Sequence, residues 1–267
     1  MKTLALSLLV AAGLAAAQPG PVPPPQPQPA PQPMPQPAPL ASPAPPALPA
    51  PPALPAGPGK VYAPGAFDRL ELAGVAQVLL VQGERDQAFI AGDAEVQKNV
   101  DVVLADRQLV IRPTGGWKFW AQTLIVKVEM RELRALSVSG ASEVHAPGAL
   151  ASEQLKISIS GAGIVRLDRL QARQLVFGIS GSGEGHLGGR VDDLALKISG
   201  KGKVVADNLQ AQKANVNVSG IGAVQLWVAK ELSAHISGIG SVDYFGNPTV
   251  QRSVSGMGSI SAKGEKR

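Results

Sequence analysis

Five ionisable residues occupy matching places in three successive copies of a repeated phrase, and they are the side chains best suited to chemistry. If the copies stack as coils about 4.8 Å apart, their outward side chains share one face and the two histidines lie roughly 10 Å from each other. That distance, with an arginine in between, is too long for one shared zinc ion. The carboxylates have the spacing of an inverting glycosidase, although nothing in the sequence shows that either is buried as a catalytic acid is. The five residues are Glu143, His145, Arg166, Glu184 and His186.

This candidate ligand face has three interpretations: a solvated surface, a contact site for a sugar or an anion, and a catalytic centre. The serines of the chain do not favour catalysis, because no Gly-x-Ser-x-Gly elbow lies between a strand and a helix. The chain has no cysteine, which excludes thiolate zinc sites, disulfides and cysteine nucleophiles. We therefore predict no catalytic residue, no metal site and no cofactor.

A short aromatic segment, Trp117-Lys118-Phe119-Trp120, follows a pair of glycines. Tryptophans on a loop can stack on sugar faces or lie at a membrane interface. The alternative is a loop that folds down and caps the coil. We name Trp117, Phe119 and Trp120 the candidate aromatic contact loop.

The elements that position these residues are repeats. One phrase recurs seven times at intervals of 18 to 21 residues, and each copy contains a Ser-Gly pair. Copies at nearly constant spacing predict a solenoid, in which each copy packs on its neighbours. The pairs begin at Ser139, Ser160, Ser180, Ser199, Ser219, Ser237 and Ser255.

Alternation within each copy predicts strands. Leu155, Ile157 and Ile159 are followed at the same parity by Gly161 and Gly163, and a period of two is that of an extended chain. We interpret Gly-x-Gly as a corner at which a Cβ would strike the opposite wall, and we expect the preceding serine to face outward in a hydroxyl ladder. Because more strand follows, the glycines are not a nucleotide loop. Each coil is expected to be a bent strand of about ten residues, a turn and a shorter strand.

The repeated ISGxGxV phrases and the closing YFGNPTVQRSVSGMGSIS resemble the head GIN domain family, whose members are described as auto-transporter adhesins. The resemblance covers about residues 61–262. It implies an extracytoplasmic protein with a right-handed, parallel β-helix-like fold, and it brings no catalytic residues to this chain.

The ends of the repeat region differ from its middle. Residues 72–78 look like a degenerate copy, residues 107–112 and 124–128 look like strands, and we expect this atypical first part to cap the solenoid. At the other end, Lys263, Glu265, Lys266 and Arg267 are expected to blunt the last exposed edge.

A candidate partner ridge lies between the paired glycines. The outward residue there is small or polar in the first four copies and becomes apolar in the last three, as Ile221, Ile239 and Met257. A contiguous apolar stripe often marks an interface, so we predict contact with a second copy of the chain or with a partner protein. The alternative is that the C-terminal tail covers the three side chains.

The sequence divides into three parts. Residues 1–17 are predicted to be a signal peptide cleaved after Ala17, since the apolar run is short for a membrane anchor, which is the alternative. Residues 18–59 hold 20 of the 24 prolines and no charge, which favours a polyproline II or disordered linker that acts as a spacer or a plain tether. Residues 60–267 form the all-β solenoid domain with coils of about 20 residues.

The functional prediction is a non-enzymatic, exported envelope or surface protein, either an adhesin or a binding scaffold whose partner is a protein or a glycan. The alternatives are a polysaccharide-binding or polysaccharide-active β-helix protein and a purely structural periplasmic spacer. The net charge is +5 without a dense Lys/Arg run, which does not favour nucleic acid as a partner. No segment after the signal is apolar enough to predict a transmembrane span.

Overall fold

The computed structural model describes residues 58–114 and 123–266. The predicted signal peptide, nearly all of the proline-rich linker and the aromatic contact loop (Trp117, Phe119 and Trp120) lie outside these ranges. In the part of the chain that is described, no helix is long and apolar enough to cross a membrane.

The described chain is built from strands, with one five-residue helix. The elements in chain order are β1 (Gly59–Tyr62), β2 (Arg69–Leu72), β3 (Val75–Gln82), β4 (Gln87–Ala91), α1 (Ala94–Lys98), β5 (Val100–Ala105), β6 (Gln108–Pro113), β7 (Leu124–Met130), β8 (Ala135–Val138), β9 (Ala141–Ile159), β10 (Ala162–Ile179), β11 (Ser182–Ile198), β12 (Lys201–Val218), β13 (Ile221–Ile236), β14 (Ile239–Phe245), β15 (Thr249–Val254) and β16 (Met257–Ala262).

The repeats form a parallel β-solenoid of about six turns, as the sequence predicts. Strand β9 pairs with β10, and the pairing continues through β11, β12, β13 and β14 to β16. Partner residues are one repeat apart, for example Ile164 with Glu184 and Ser241 with Ser259. The core is a continuous stack of inward Val, Leu and Ile side chains.

The shape of a coil differs from the expectation. Each of β9 to β13 is one strand of 16 to 19 residues, not two strands joined by a turn. A shift in register, such as the one between Leu167 and Leu170, bends the strand in its middle. The chain thus changes direction without interrupting the ladder, because an irregularity in one strand kinks it locally.

The first glycine of each Gly-x-Gly unit, which is the glycine of the Ser-Gly pair, is needed for a reason other than the predicted one. A Cβ on Gly220 would run into the backbone carbonyl oxygen of Gly200 in the preceding coil, and the same holds for Gly200 above Gly181. The conflict is therefore with the adjacent coil, and not with the opposite wall. A side chain at the second glycine would clash with the core, since a Cβ on Gly202 would lie 2.8 Å from Cδ1 of Ile179.

The serines of the pairs face outward, but they do not form a hydroxyl ladder. The hydroxyl of Ser139 donates to the carbonyl oxygen of Leu72 at 3.2 Å, and that of Ser219 donates to Ile198 at 3.4 Å. Each bond links a side chain to the main chain of the preceding coil. The expectation was wrong because the carbonyl lies within reach of the hydroxyl.

The N-terminal part caps the solenoid in an order that differs from the sequence. The predicted degenerate copy is a true coil, since β3 pairs with β9 through Val75 and Ala141. However, β6 and β7 stack on its other side, so the first coil in sequence is not the outermost one. The antiparallel strands β4 and β5 then cover β7 and β6. Tyr62 of β1 donates to Gln97 at 2.9 Å, and burial raises the pKa of this hydroxyl.

Two lysines anchor the described part of the C-terminal tail, and its predicted blunting of the last edge stays a prediction. Lys263 lies 3.3 Å from the carboxylate of Asp243, and Lys266 reaches back to the carboxylate of Asp207 at 3.2 Å. The ammonium of Lys266 also lies 5.9 Å from the ring centroid of Trp227. These attractions lay the tail along the side of earlier coils and leave β15 and β16 uncovered by it.

Candidate functional site

The structure brings the predicted ligand face together in register. His145, Arg166 and His186 are direct partners on β9, β10 and β11. Glu143 and Glu184 lie two coils apart with Ile164 between them. The side chains therefore form one patch across three coils.

Within this patch the ionisable side chains contact one another. Arg166 donates to Glu143 at 2.8 Å, and His186 lies 3.6 Å from Glu184. The Nε atom of Arg166 is buried and has no hydrogen-bond partner among the described residues. A carboxylate that is already held by a cation is poorly placed to act as a catalytic acid. The geometry thus fits a structural ion-pair cluster or a small polar contact site.

Sequence reasoning missed Asp168, which holds His145. The carboxylate of Asp168 lies 3.0 Å from Nε2 of His145, whose side chain is only 8% exposed. Asp168 follows inward Leu167 at the register shift, and the shift lets it reach across to the preceding coil. Alternation alone gives no signal for such a shift. In residues 58–114 and 123–266, no three His, Asp or Glu side chains are grouped closely enough for a metal ion.

A longitudinal groove is a feature that the sequence did not predict. It runs along the solenoid over six coils and has a volume of about 830 Å³. The second glycines of the Gly-x-Gly units form its floor, because the strand indents toward the core where a side chain is missing. One wall consists of Ala162, Ser182, Lys201, Ile221, Ile239 and Met257, and the other of Ile164, Glu184, Lys203, Ala223, Ser241 and Ser259.

The predicted partner ridge is one wall of this groove. Ile221, Ile239 and Met257 are consecutive partners in the ladder and are 53%, 46% and 73% exposed. The described part of the tail does not cover these three side chains, because it is held elsewhere by the ion pair between Lys266 and Asp207. No residue of 58–114 or 123–266 covers the apolar stripe.

A larger depression of about 1120 Å³, which is also absent from the sequence prediction, lies on another side of the solenoid. Basic residues and one tryptophan contribute to its lining, but acidic neighbours balance them, as Arg173 pairs with Glu153. Its lining includes Arg169, Arg173, Arg190, Glu132, Glu153, Asp192 and Trp227.

A stacked parallel sheet with an open groove, and with charges that pair among themselves, fits a surface or binding protein. The chain belongs to the family described as "Putative auto-transporter adhesin, head GIN domain", whose family model matches residues 66–248. Comparison with curated proteins gives no match.

Solved structures share the fold. A "putative adhesin" from Bacteroides fragilis is 23% identical with a TM-score of 0.72, over 76% of this chain and 95% of that one. A "putative adhesin" from Parabacteroides distasonis is 20% identical with a TM-score of 0.60, over 77% and 96%. A "Putative lipid binding protein" from the same species is 18% identical with a TM-score of 0.61, over 79% and 96%. At these identities the similarity concerns the fold.

Proposed function

We propose that this protein is an exported, non-enzymatic binding scaffold of the cell envelope, which presents a rigid β-solenoid on a proline-rich stalk. The family and the fold support a surface or binding protein. The predicted signal peptide and stalk support export and display away from the point of attachment.

The groove is the observation that carries this proposal. Its walls and floor belong to strands β10 to β14 and β16, and each of β10 to β14 is hydrogen-bonded to a neighbour on both sides. A surface built on such a sheet is preorganised, so little conformational entropy is lost when a partner binds. The exposed apolar wall is the type of surface that marks a binding site.

The binding proposal is tested with the purified protein and isolated cell envelopes of the source organism. We expect saturable binding that is lost when Ala223 and Ser241 are both changed to Phe, because the two rings fill the groove. Ser233→Phe is the matched control, since Ser233 is exposed on a different side of the solenoid and should leave binding unchanged. Binding that is absent, or that survives the double substitution, would contradict the proposal and favour a structural spacer.

The enzymatic alternative is tested separately. We expect no release of reducing sugars from a panel of bacterial polysaccharides, with or without Glu143→Gln and Glu184→Gln, because Glu143 is ion-paired with Arg166 and Glu184 lies beside His186. Polysaccharide cleavage by the unmodified protein that disappears in the double variant would show a catalytic site on the charged face.

A further inference from the structure

We infer that the groove binds a single-chain amphiphile with an anionic head group, with the acyl chain along Ile221, Ile239 and Met257. The inference rests on the proposed function, because it names the ligand class of the same surface. It follows from the apolar wall and the two lysines of the groove, and from the lack of free hydrogen-bonding groups on its floor from β10 to β14.

Over strands β10 to β14 the floor offers no hydrogen bonds. The glycines that form this part of the floor lie in strands whose N–H and C=O groups are already paired with the coils on both sides, and only Gly258 on β16 has a neighbouring strand on one side alone. A peptide backbone or a sugar lying on this floor would lose water without gaining partners, which is unfavourable. Among residues 58–114 and 123–266, no aromatic ring lines the groove for a sugar to stack on. An acyl chain needs neither kind of contact.

The C-terminal half of the groove is uncharged, and one of its walls is apolar. The rungs of Ile221, Ile239 and Met257 are faced across the floor by Ala223, Ser241 and Ser259. From the rung of Lys201 to that of Met257 there are three steps of about 4.8 Å, or roughly 14 Å in all. A medium-length acyl chain such as that of laurate, extended along the axis, fits a run of this kind. Burial of its methylene groups supplies the driving force.

Two lysines stand where the apolar stretch begins. Lys201 and Lys203 are on opposite walls of the same coil, immediately before the rung of Ile221 and Ala223. Glu184 on the preceding coil offsets one of these charges, so the charged groups that line the groove sum to +1. A carboxylate at this point would be bracketed by two ammonium groups. The charge pattern therefore selects an anionic head and sets the direction of the chain.

The experiment is calorimetric titration of the purified protein with sodium laurate below its micelle concentration. We expect saturable binding near one laurate per protein, and weaker binding of dodecyl maltoside, whose head is uncharged. Ile239→Lys should weaken laurate binding at least about tenfold, because it places a charge in the apolar wall. Met257→Lys, at a still more exposed position, serves if Ile239→Lys alters the fold by circular dichroism.

The head-group contact has its own variants. Changing Lys201 and Lys203 together to Ser should weaken laurate binding and leave dodecyl maltoside binding unchanged. Lys197→Ser is the control, because Lys197 is exposed outside the groove. An equal loss of affinity for laurate and for dodecyl maltoside would show that the lysines do not bind the anionic head group.

The result that overturns the inference is the absence of saturable laurate binding, or laurate binding that Ile239→Lys and Met257→Lys leave unchanged. Phosphatidylglycerol vesicles form a separate arm. Binding to these vesicles without binding of free laurate would mean that the ligand is a membrane surface, and would also overturn a single-chain site. Envelope binding that depends on the groove, combined with no laurate binding, would leave the scaffold standing and remove only the amphiphile.

Discussion

At the residue scale, the glycine of each Ser-Gly pair determines how closely two coils can approach. Gly140, Gly161, Gly181, Gly200 and Gly220 lie in one column, and from Gly161 onward a Cβ on each would overlap the carbonyl oxygen of the preceding glycine. That atom belongs to the main chain, so it cannot move aside as a flexible side chain could. A substitution must therefore separate two coils or break a ladder hydrogen bond.

This contact predicts a large difference between two neighbouring types of position. We expect Gly220→Val to lower the free energy of unfolding by more than about 2 kcal/mol through overpacking and backbone displacement. Lys201→Val should change it by less than about 0.5 kcal/mol, because Lys201 is exposed and outward. Denaturant titration of both variants measures the difference. Similar values for the two would mean that the glycine column does not control the stacking.

The sequence predicted residue positions better than residue contacts. Alternation correctly placed His145, Arg166 and His186 side by side, because a constant repeat length keeps the coils in register. It could not show that Asp168 holds His145, since that contact depends on a register shift. It also could not separate a clash with the opposite wall from a clash with the adjacent coil, because both need glycine at the same parity.

At the element scale, the last coil protects its own open edge. Strand β15 pairs only with β13 in the described chain, and strand β16 only with β14. Arg252 of β15 is the register partner of Ala234, in a column whose earlier members Phe177, Leu196 and Val216 are all buried in the core. An inward-pointing charge on an edge strand disfavours pairing with another chain, because the charge would be buried at the contact. This protection lies in the strand itself, and blunting of the edge by the charged tail stays a separate prediction.

Removing the charge of Arg252 should therefore allow the end coils of two molecules to associate. We expect Arg252→Ile to make the protein self-associate, because the end coil would then match the apolar core of the coils behind it. Sedimentation velocity over a range of concentrations measures the effect.

Gln251→Ile is the matched control for this prediction. Gln251 lies on the same strand, is exposed and has outward parity, so its substitution should leave the sedimentation coefficient close to that of the unmodified protein. If both variants associate equally, surface hydrophobicity and not the inward position of Arg252 is responsible.

At the scale of the whole molecule, export and display remain predictions from the first 59 residues. Lys2, the apolar run that follows and Ala15-Ala16-Ala17 have the order of a cleavable signal. The absence of cysteine means that the domain needs no oxidising compartment in order to fold. The solenoid supplies stability instead through its continuous core and its ladder.

Export makes a direct prediction about the mature chain. We expect the protein recovered from the envelope fraction to begin at Gln18, since small residues at Ala15 and Ala17 suit signal peptidase. N-terminal sequencing or mass spectrometry of the intact protein measures the start. A chain that keeps Met1 in that fraction would show an uncleaved anchor.

The sequence by itself determined the all-β class, the solenoid stacking and the coil length. These follow from local rules, namely a period of two within each repeat and a nearly constant interval between repeats, whereas the parallel direction of the strands was implied by the family resemblance. The tertiary structure alone decided the interleaved order of the N-terminal coils, the groove and the placement of the tail. Each of these depends on how strands bend and which coils become neighbours, and such properties arise from contacts between residues far apart in the chain, which no local pattern encodes.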